Sequence, residues 1–142
     1  MRKCFRYSIL FCVFGAIYYI LETIYKGCWT HWTMFILSGF IGIMIGCINE
    51  VFPWDLSFWI QCGIGMIIAT SLEGVSGLIL NVWLHLGVWD YSNTPMHFFF
   101  QQCCIPFCLV WFILSGVCIL LDDYMRWRFF GEEYPRYNFN LW

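Results

Sequence analysis

Charged side chains are scarce in this sequence. They make up 11% of its 142 residues, whereas hydrophobic residues make up 61%. Soluble domains carry about 25% charged residues. Across residues 56–89 the only Asp, Glu, Lys or Arg is Glu73. A chain with so little polar surface is poorly suited to water, which indicates an integral membrane protein.

Motifs of several function classes are also missing. Seven Lys and Arg residues against nine Asp and Glu residues leave no basic footprint, which argues against a nucleic-acid partner. The sequence has no Gly-rich phosphate-binding loop ending in Gly-Lys-Ser or Gly-Lys-Thr, so it has no P-loop of its own. No recognisable motif joins a nucleophile to a base. We therefore expect neither an enzyme nor a bound cofactor.

The nine cysteines show neither a C-x-x-C pair nor the spacing of a zinc site. Most of them lie in apolar runs, where a free cysteine behaves as a small hydrophobic residue, and we interpret them as packing residues. One alternative is a redox pair among Cys28, Cys103 and Cys104. A second alternative, against our expectation of no metal, is an ion held by imidazoles and carboxylates. Its candidate ligands are His31, His85, His97, Glu73 and Asp90.

Four apolar runs are long enough to cross a membrane, which takes about 20 residues per helix. We predict an all-α fold, a single four-helix membrane domain over residues 1–142. The expected spans are about 7–25, 33–50, 56–83 and 97–121, followed by a short cytoplasmic tail at 122–142.

Local patterns add detail to these spans. The first span lacks a small-residue cleavage site and is long for a signal peptide, so we expect it to stay uncleaved. Pro106 is expected to kink the fourth span. Small residues recur at spacing four, as at Gly42 and Gly46 in span two and at Gly65 and Ala69 in span three. Such spacing favours close approach of helix backbones.

The Lys and Arg residues predict the orientation. With four spans both termini lie on one side, and six of the seven basic residues lie there, against Lys26 alone in the first loop. Those six are Arg2, Lys3, Arg6, Arg126, Arg128 and Arg136. The positive-inside rule then predicts a multi-pass protein of the cell membrane with both termini in the cytoplasm.

Glu73 is the leading candidate for function, because an ionisable side chain inside a span is a functional-site hypothesis by default. It lies about 17 residues into span three, or about 26 Å along the helix axis. The predicted orientation places it in the outer half of the membrane. Other polar and aromatic residues reach the same depth and predict an outward-facing pocket. The predicted ligand-binding residues are Glu22, Glu73, Asn81, Trp89, Asp90, Tyr91 and Gln101.

Structural roles are the alternatives for these residues. Glu73 could be a structural carboxyl, bonded to a Trp, Tyr or Asn of a neighbouring span. Glu22 could reach headgroup water from its helix end. Trp89 and Tyr91 suit an interfacial aromatic belt as well as the rim of a pocket.

Several segments together resemble a known family. They are YILETIYKG, IGCINE, LEGVSGLILNVWLHLGVWDYSNTP, QQCCIPF and WFILSGVCILLDDY. Over nearly the whole chain they resemble small bacterial integral-membrane proteins described as ABC-transporter type IV, or CmpB-like, permeases. The resemblance implies a multi-pass helical fold with a permease role. Its matching positions here are Glu22, Glu73, Asn81, Trp89, Asp90, Tyr91, Ser92, Pro95 and Gln101.

The sequence therefore suggests a permease-like transport protein that binds or translocates a small solute, such as a cation or an amine. Because four spans rarely enclose a path alone, we expect a homo-oligomer or a partner membrane subunit. A basic aromatic strip at residues 126–130 is expected to contact membrane lipid. The alternative is an accessory or sensory membrane subunit that acts by protein or lipid interaction without transport.

Overall fold

A computed structural model describes the chain over residues 2–140, with side chains from residue 4 onward. The fold is mostly helical. The helices are α1 (Arg2–Lys26), α2 (Thr33–Gly46), α3 (Ile48–Val51), α4 (Phe58–Gly77) and α5 (Ile105–Phe130), and two short strands are β1 (His97–Phe98) and β2 (Cys103–Cys104). Helix α4 continues into a wider π-helical turn, Leu78–Trp83.

Four helical segments in residues 2–140 are long and apolar enough to cross a membrane. They are Cys4–Lys26, Thr33–Val51, Phe58–Trp83 and Ile105–Phe130. The predicted helical fold with four membrane-length helices is confirmed to this extent. The first three lie where the sequence predicts them.

The fourth predicted span, 97–121, is wrong at both ends, because α5 runs over Ile105–Phe130. Residues 97–104 form an antiparallel hairpin instead, in which His97 pairs with Cys104. The turn of this hairpin holds three consecutive residues with positive φ. That backbone conformation is incompatible with a right-handed helix.

The two ends of α5 follow from a proline and a glycine. Pro106 lies in the first turn, where its missing N–H costs no hydrogen bond. It therefore starts the helix, and the predicted kink at Pro106 is wrong. Gly131 ends the helix with φ of +71°, a left-handed C-cap that suits glycine. The helix thus includes residues 122–130 of the predicted tail, and within the described residues the tail is 131–140.

The core lies between α2, α4 and α5, and its small residues permit the close approach that their spacing predicts. A Cβ atom on Gly65 would lie 2.6 Å from the Cβ of Ser115 on α5. A Cβ on Gly46 would meet the carboxyl group of Asp122. Helix α1 packs chiefly on α2 and touches α5 only slightly. This uneven packing leaves a cleft between α1 and α5.

The bundle has two ends that differ in structure. We call the end with residues 2–7, 46–58 and 126–140 the terminal end, and the end with residues 26–33 and 77–105 the loop end. At the terminal end, Arg126 pairs with Asp122 and Glu50, and Arg6 pairs with Glu50 at 3.1 Å and with Glu132. Arg126 is only 3% exposed, so it does not belong to the surface strip predicted at 126–130.

The tail, residues 131–140, folds back across the terminal end. The hydroxyl of Tyr137 donates to Asp123 at 3.0 Å. The backbone N–H of Phe58 donates to the carbonyl of Asn138 at 2.7 Å, and Trp59 donates to the carbonyl of Phe139 at 3.1 Å. The tail therefore covers the start of α4.

Candidate functional site

Glu73 lies in α4 and faces the inside of the bundle, with 3% of its surface exposed. One carboxylate oxygen accepts a hydrogen bond from the Tyr91 hydroxyl at 2.8 Å. The other oxygen accepts from the indole N–H of Trp111, on α5, at 3.0 Å. Each carboxylate oxygen thus has a donor, as a buried polar group requires. The predicted structural alternative, a carboxyl held by Trp and Tyr, describes these contacts correctly.

Tyr91 comes from the long loop after α4. Burial raises the pKa of the Tyr91 phenol, and the facing carboxyl of Glu73 raises it further. The phenol therefore keeps its proton and remains a hydrogen-bond donor to Glu73. Its ring also packs against Phe107, with ring centroids 4.9 Å apart, which fixes the position of the hydroxyl.

A second carboxylate lies near Glu73, at the loop end of α1. Glu22 pairs with Lys26, one helical turn later, at 2.5 Å. The Glu22 side chain is only 9% exposed, so it does not extend into headgroup water as the alternative assumed. Its second oxygen, Oε2, is buried and has no hydrogen-bond partner among the described residues.

Lys26 connects α1 to the loop that follows α4. Its ammonium group donates to the Thr30 hydroxyl at 3.3 Å and to the backbone carbonyl of Val88 at 3.1 Å. Trp89 follows directly; it is buried, and its indole N–H donates to the carbonyl of Gln102 at 3.2 Å. These bonds hold the loop over the loop end of the bundle.

Asp90 contributes a charge at the edge of this loop. Its two oxygens accept from the backbone N–H and from the hydroxyl of Ser92, both at 2.8 Å. These hydrogen bonds lower the pKa of Asp90 below its usual value, so the side chain is ionised at neutral pH. Asp90 thus caps a short local turn through Ser92.

A cavity of about 550 Å³, which we call the chamber, joins these groups. Five of the seven predicted pocket residues line it: Glu22, Glu73, Trp89, Asp90 and Tyr91. Its other lining residues are Tyr18, Leu21, Tyr25, Lys26, Met34, Thr94, Pro106, Phe107, Val110, Trp111 and Leu114. The chamber thus combines acidic groups, one cation and an aromatic wall.

Asn81 does not line the chamber, contrary to the prediction. Its amide donates to the side-chain oxygen of Gln102 at 2.8 Å and accepts from the N–H of Val88 at 2.7 Å. Both partners belong to the loop. Asn81 therefore positions the loop that carries Trp89 and Tyr91.

Gln101 does not line the chamber either. It is exposed, and its φ of +63° places it in the hairpin turn and not at the start of a helix. The next residue, Gln102, is buried, bonded to Asn81 and to the carbonyl of Phe100. We predicted the wrong one of two adjacent glutamines, because we assumed that residues 97–121 form a helix.

Lys26, Trp111 and Tyr18 are among the eleven other lining residues, which the sequence did not predict. Lys26 could have been found, since spacing four from Glu22 is the usual spacing of a helical ion pair. Trp111 and Tyr18 have no comparable signal. Their rings stack with centroids 5.2 Å apart and form one side wall of the chamber. Both lie in apolar stretches of their helices, where periodicity does not say which face turns inward.

The cysteine and histidine alternatives can be located as well. Cys28 is exposed, whereas Cys103 and Cys104 are buried, and all three are free thiols. His97 bonds to the carbonyl of Thr94 and His31 to Thr33. Across residues 2–140, no three His, Cys, Asp or Glu side chains come together in a way that could hold a metal ion.

No family model matches the chain, and neither a curated protein nor a solved structure matches it. The fold and the site alone therefore define its class. It is a small bundle of four membrane-length helices whose buried carboxylate faces a chamber near the loop end.

Proposed function

We propose that the chain is a small multi-pass membrane protein whose chamber binds a cationic or amine solute during permease-like transport. The observation that carries this proposal is Glu73, a carboxylate buried in a membrane-length helix and facing a cavity. Such a group is costly in a bilayer and is therefore expected to serve function. The resemblance to small bacterial permeases points in the same direction.

The helix surfaces support a membrane location. The shortest of the four segments has 19 residues, about 28 Å of helix at 1.5 Å per residue, which matches a bilayer core of about 30 Å. Large apolar side chains such as Ile24, Leu109 and Ile113 are exposed on them. In lipid these side chains need no protein partner. The bias of Lys and Arg to the terminal end favours a cytoplasmic location for both termini in the cell membrane.

The charges in the chamber support a cationic solute. Glu22, Glu73 and Asp90 supply three carboxyl groups, whereas Lys26 supplies the one cation among the lining residues. In a site partly shielded from water, an opposite charge a few ångströms away is attracted more strongly than it would be in bulk water. An anion would meet repulsion from most of these groups. Chamber electrostatics therefore favour cations or amines over anions.

Ethylamine uptake into lipid vesicles tests this proposal. We expect wild-type protein to admit radiolabelled ethylamine and Glu73→Gln to reduce uptake at least tenfold. Glu133→Gln is the matched control, because Glu133 is exposed at the terminal end and lies outside the chamber. It should retain wild-type uptake. Unchanged uptake and binding in Glu73→Gln would overturn the proposal.

The closed terminal end favours a second candidate, an accessory or sensory subunit that binds without transport. The chamber lies near the loop end, while the buried Arg126–Asp122 pair and the tail cover the opposite end. Transport requires these contacts to open, and binding alone does not. Glu73-dependent binding of ethylamine without uptake would select this candidate. A partner membrane subunit recovered in mild detergent would support it, whereas a homogeneous single-chain species would count against it.

A further inference from the structure

We infer that the chamber takes an amphiphile from the bilayer, with a primary ammonium headgroup in the chamber and an aliphatic chain in the cleft between α1 and α5. This inference rests on the proposed function and specifies its ligand. It follows from four observations: the continuity of the chamber with an apolar groove, the opening of that groove to the side, an unpartnered acceptor, and the cover formed by the loop.

The chamber continues into an apolar groove between α1 and α5. Tyr18, Leu21, Trp111 and Leu114 line both. The rest of the groove is lined by residues of α1, α2 and α5, among them Phe14, Ile17 and Val117. Nearly all of these are apolar. The chamber and the groove thus adjoin each other and share the stacked rings of Tyr18 and Trp111 as a common wall.

The groove opens sideways, toward the surface that faces lipid. Val117 lines it and is 55% exposed, and Ile17 across the groove is also exposed. From Lys26 to Phe14 the cleft follows 12 residues of α1, about 18 Å at 1.5 Å per residue. An aliphatic chain lying there would exchange lipid contacts for protein contacts without entering water. A compact, fully polar solute leaves this part of the cleft unused.

The unpartnered acceptor identifies the headgroup. Glu22 Oε2 is buried and lacks a donor among the described residues, while the other oxygen of Glu22 pairs with Lys26. A buried acceptor without a donor costs about 1–3 kcal/mol. A primary ammonium has three N–H donors and can satisfy Glu22 Oε2 while also facing Asp90 or Glu73. An alcohol headgroup lacks the charge that these carboxylates attract.

The loop directs access to the side of the bundle. Its bond from Lys26 to Val88 and its buried Trp89 cover the chamber at the loop end. Between α1 and α5, by contrast, the cover is apolar and aromatic: Tyr18 stacks on Trp111, and neighbouring apolar side chains such as Leu21 are exposed. A headgroup already at membrane depth can therefore enter through the cleft with its chain trailing into the groove.

Calorimetric titration of the full chain in lipid nanodiscs tests the inference, with empty nanodiscs measured to subtract partitioning into lipid. The three probes are octylamine, ethylamine and octanol, which supply head and chain, head alone and chain alone. We expect octylamine to bind at least tenfold more tightly than either of the others. Glu22→Gln should weaken both amines at least fivefold and leave octanol unchanged.

A matched pair of variants tests the groove. Val117→Trp fills it, whereas Ile113→Trp places the same bulk on α5 at a position 67% exposed and outside the groove. We expect Val117→Trp to bring octylamine to within threefold of ethylamine, and Ile113→Trp to bind both as wild type does. Comparable melting temperatures of the two variants establish that both are folded.

The outcomes separate this inference from the proposed function. Equal binding of both amines, unaffected by Val117→Trp, would overturn the role of the groove but leave an amine site at Glu73. Equal binding of octylamine and octanol would overturn the inference that the ligand has an ammonium headgroup. If Glu73→Gln and Glu22→Gln leave both amines bound as in wild type, the chamber is not the site and both proposals fail.

Discussion

Two substitutions of Glu73, to Ala and to Gln, should lower the free energy of unfolding by different amounts, because one removes both hydrogen bonds of the carboxylate and the other removes one. Glu73→Ala leaves the Tyr91 hydroxyl and the buried Trp111 indole without an acceptor. Each unsatisfied buried donor costs about 1–3 kcal/mol, so the free energy of unfolding should fall by about 2–6 kcal/mol. Glu73→Gln keeps the shape and one acceptor oxygen. Interhelical hydrogen bonds in membranes average about 0.6 kcal/mol, so its cost should be nearer 1 kcal/mol.

Thermal unfolding in mild detergent measures this difference. For a chain of this size, 1 kcal/mol shifts the melting temperature by about 2–4 °C. We expect Glu73→Gln to melt about 2–4 °C below wild type and Glu73→Ala at least about 4 °C below, and below Glu73→Gln. Glu133→Gln, at an exposed position, should melt within about 1 °C of wild type.

A cycle with Trp111 tests whether the hydrogen bond is responsible. Trp111→Phe alone should destabilise the protein, because it removes both the bond to Glu73 and part of a buried ring. In the Glu73→Ala background the same change should cost less, since the bond is already absent. Additive effects, or a Glu73→Ala protein as stable as wild type, would refute the inferred network.

Three further predictions concern the two ends of the bundle. A membrane-impermeant maleimide applied to intact cells should label exposed Cys28 and spare exposed Cys4 in single-cysteine variants; the reverse pattern would contradict the proposed orientation. Arg126→Gln leaves the fully buried Asp122 without its ion pair and should lower the free energy of unfolding by about 3–5 kcal/mol in a detergent melt; a cost under about 1 kcal/mol would show that the pair is not buried. Tyr137→Phe removes one bond from the tail and should cost about 1 kcal/mol and speed proteolysis of the tail, whereas unchanged cleavage would mean that this bond does not hold it.

Four membrane-length helices could be predicted because the signal is composition over about 20 residues, and it does not depend on which face turns inward. The boundary of α5 could not be predicted in this way. Residues 97–104 are as apolar as a helix start, but positive φ in the turn and pairing of β1 with β2 make a hairpin there. Local backbone geometry overrode hydropathy at that point.

The acidic residues of the candidate site were predicted from their charge, whereas residues that reach the site through packing were missed. Glu22, Glu73 and Asp90 stand out in an apolar chain, and all three line the chamber. Trp111 does not stand out, because the stretch of α5 around it is apolar on all sides and its contact with Glu73 spans 38 positions of sequence. Such partners are determined by how the helices rotate against one another, which a single sequence does not state.

An experimental structure of the protein in lipid with octylamine is the most direct test of the central claim, that the chamber binds an amine at its carboxylates. The account predicts density for the ammonium group within about 3 Å of Glu22 Oε2, a hydrogen-bond distance, with the chain passing Val117 in the groove. Octylamine found only on the outer surface, with the chamber carboxylates making no contact to it, would contradict the account.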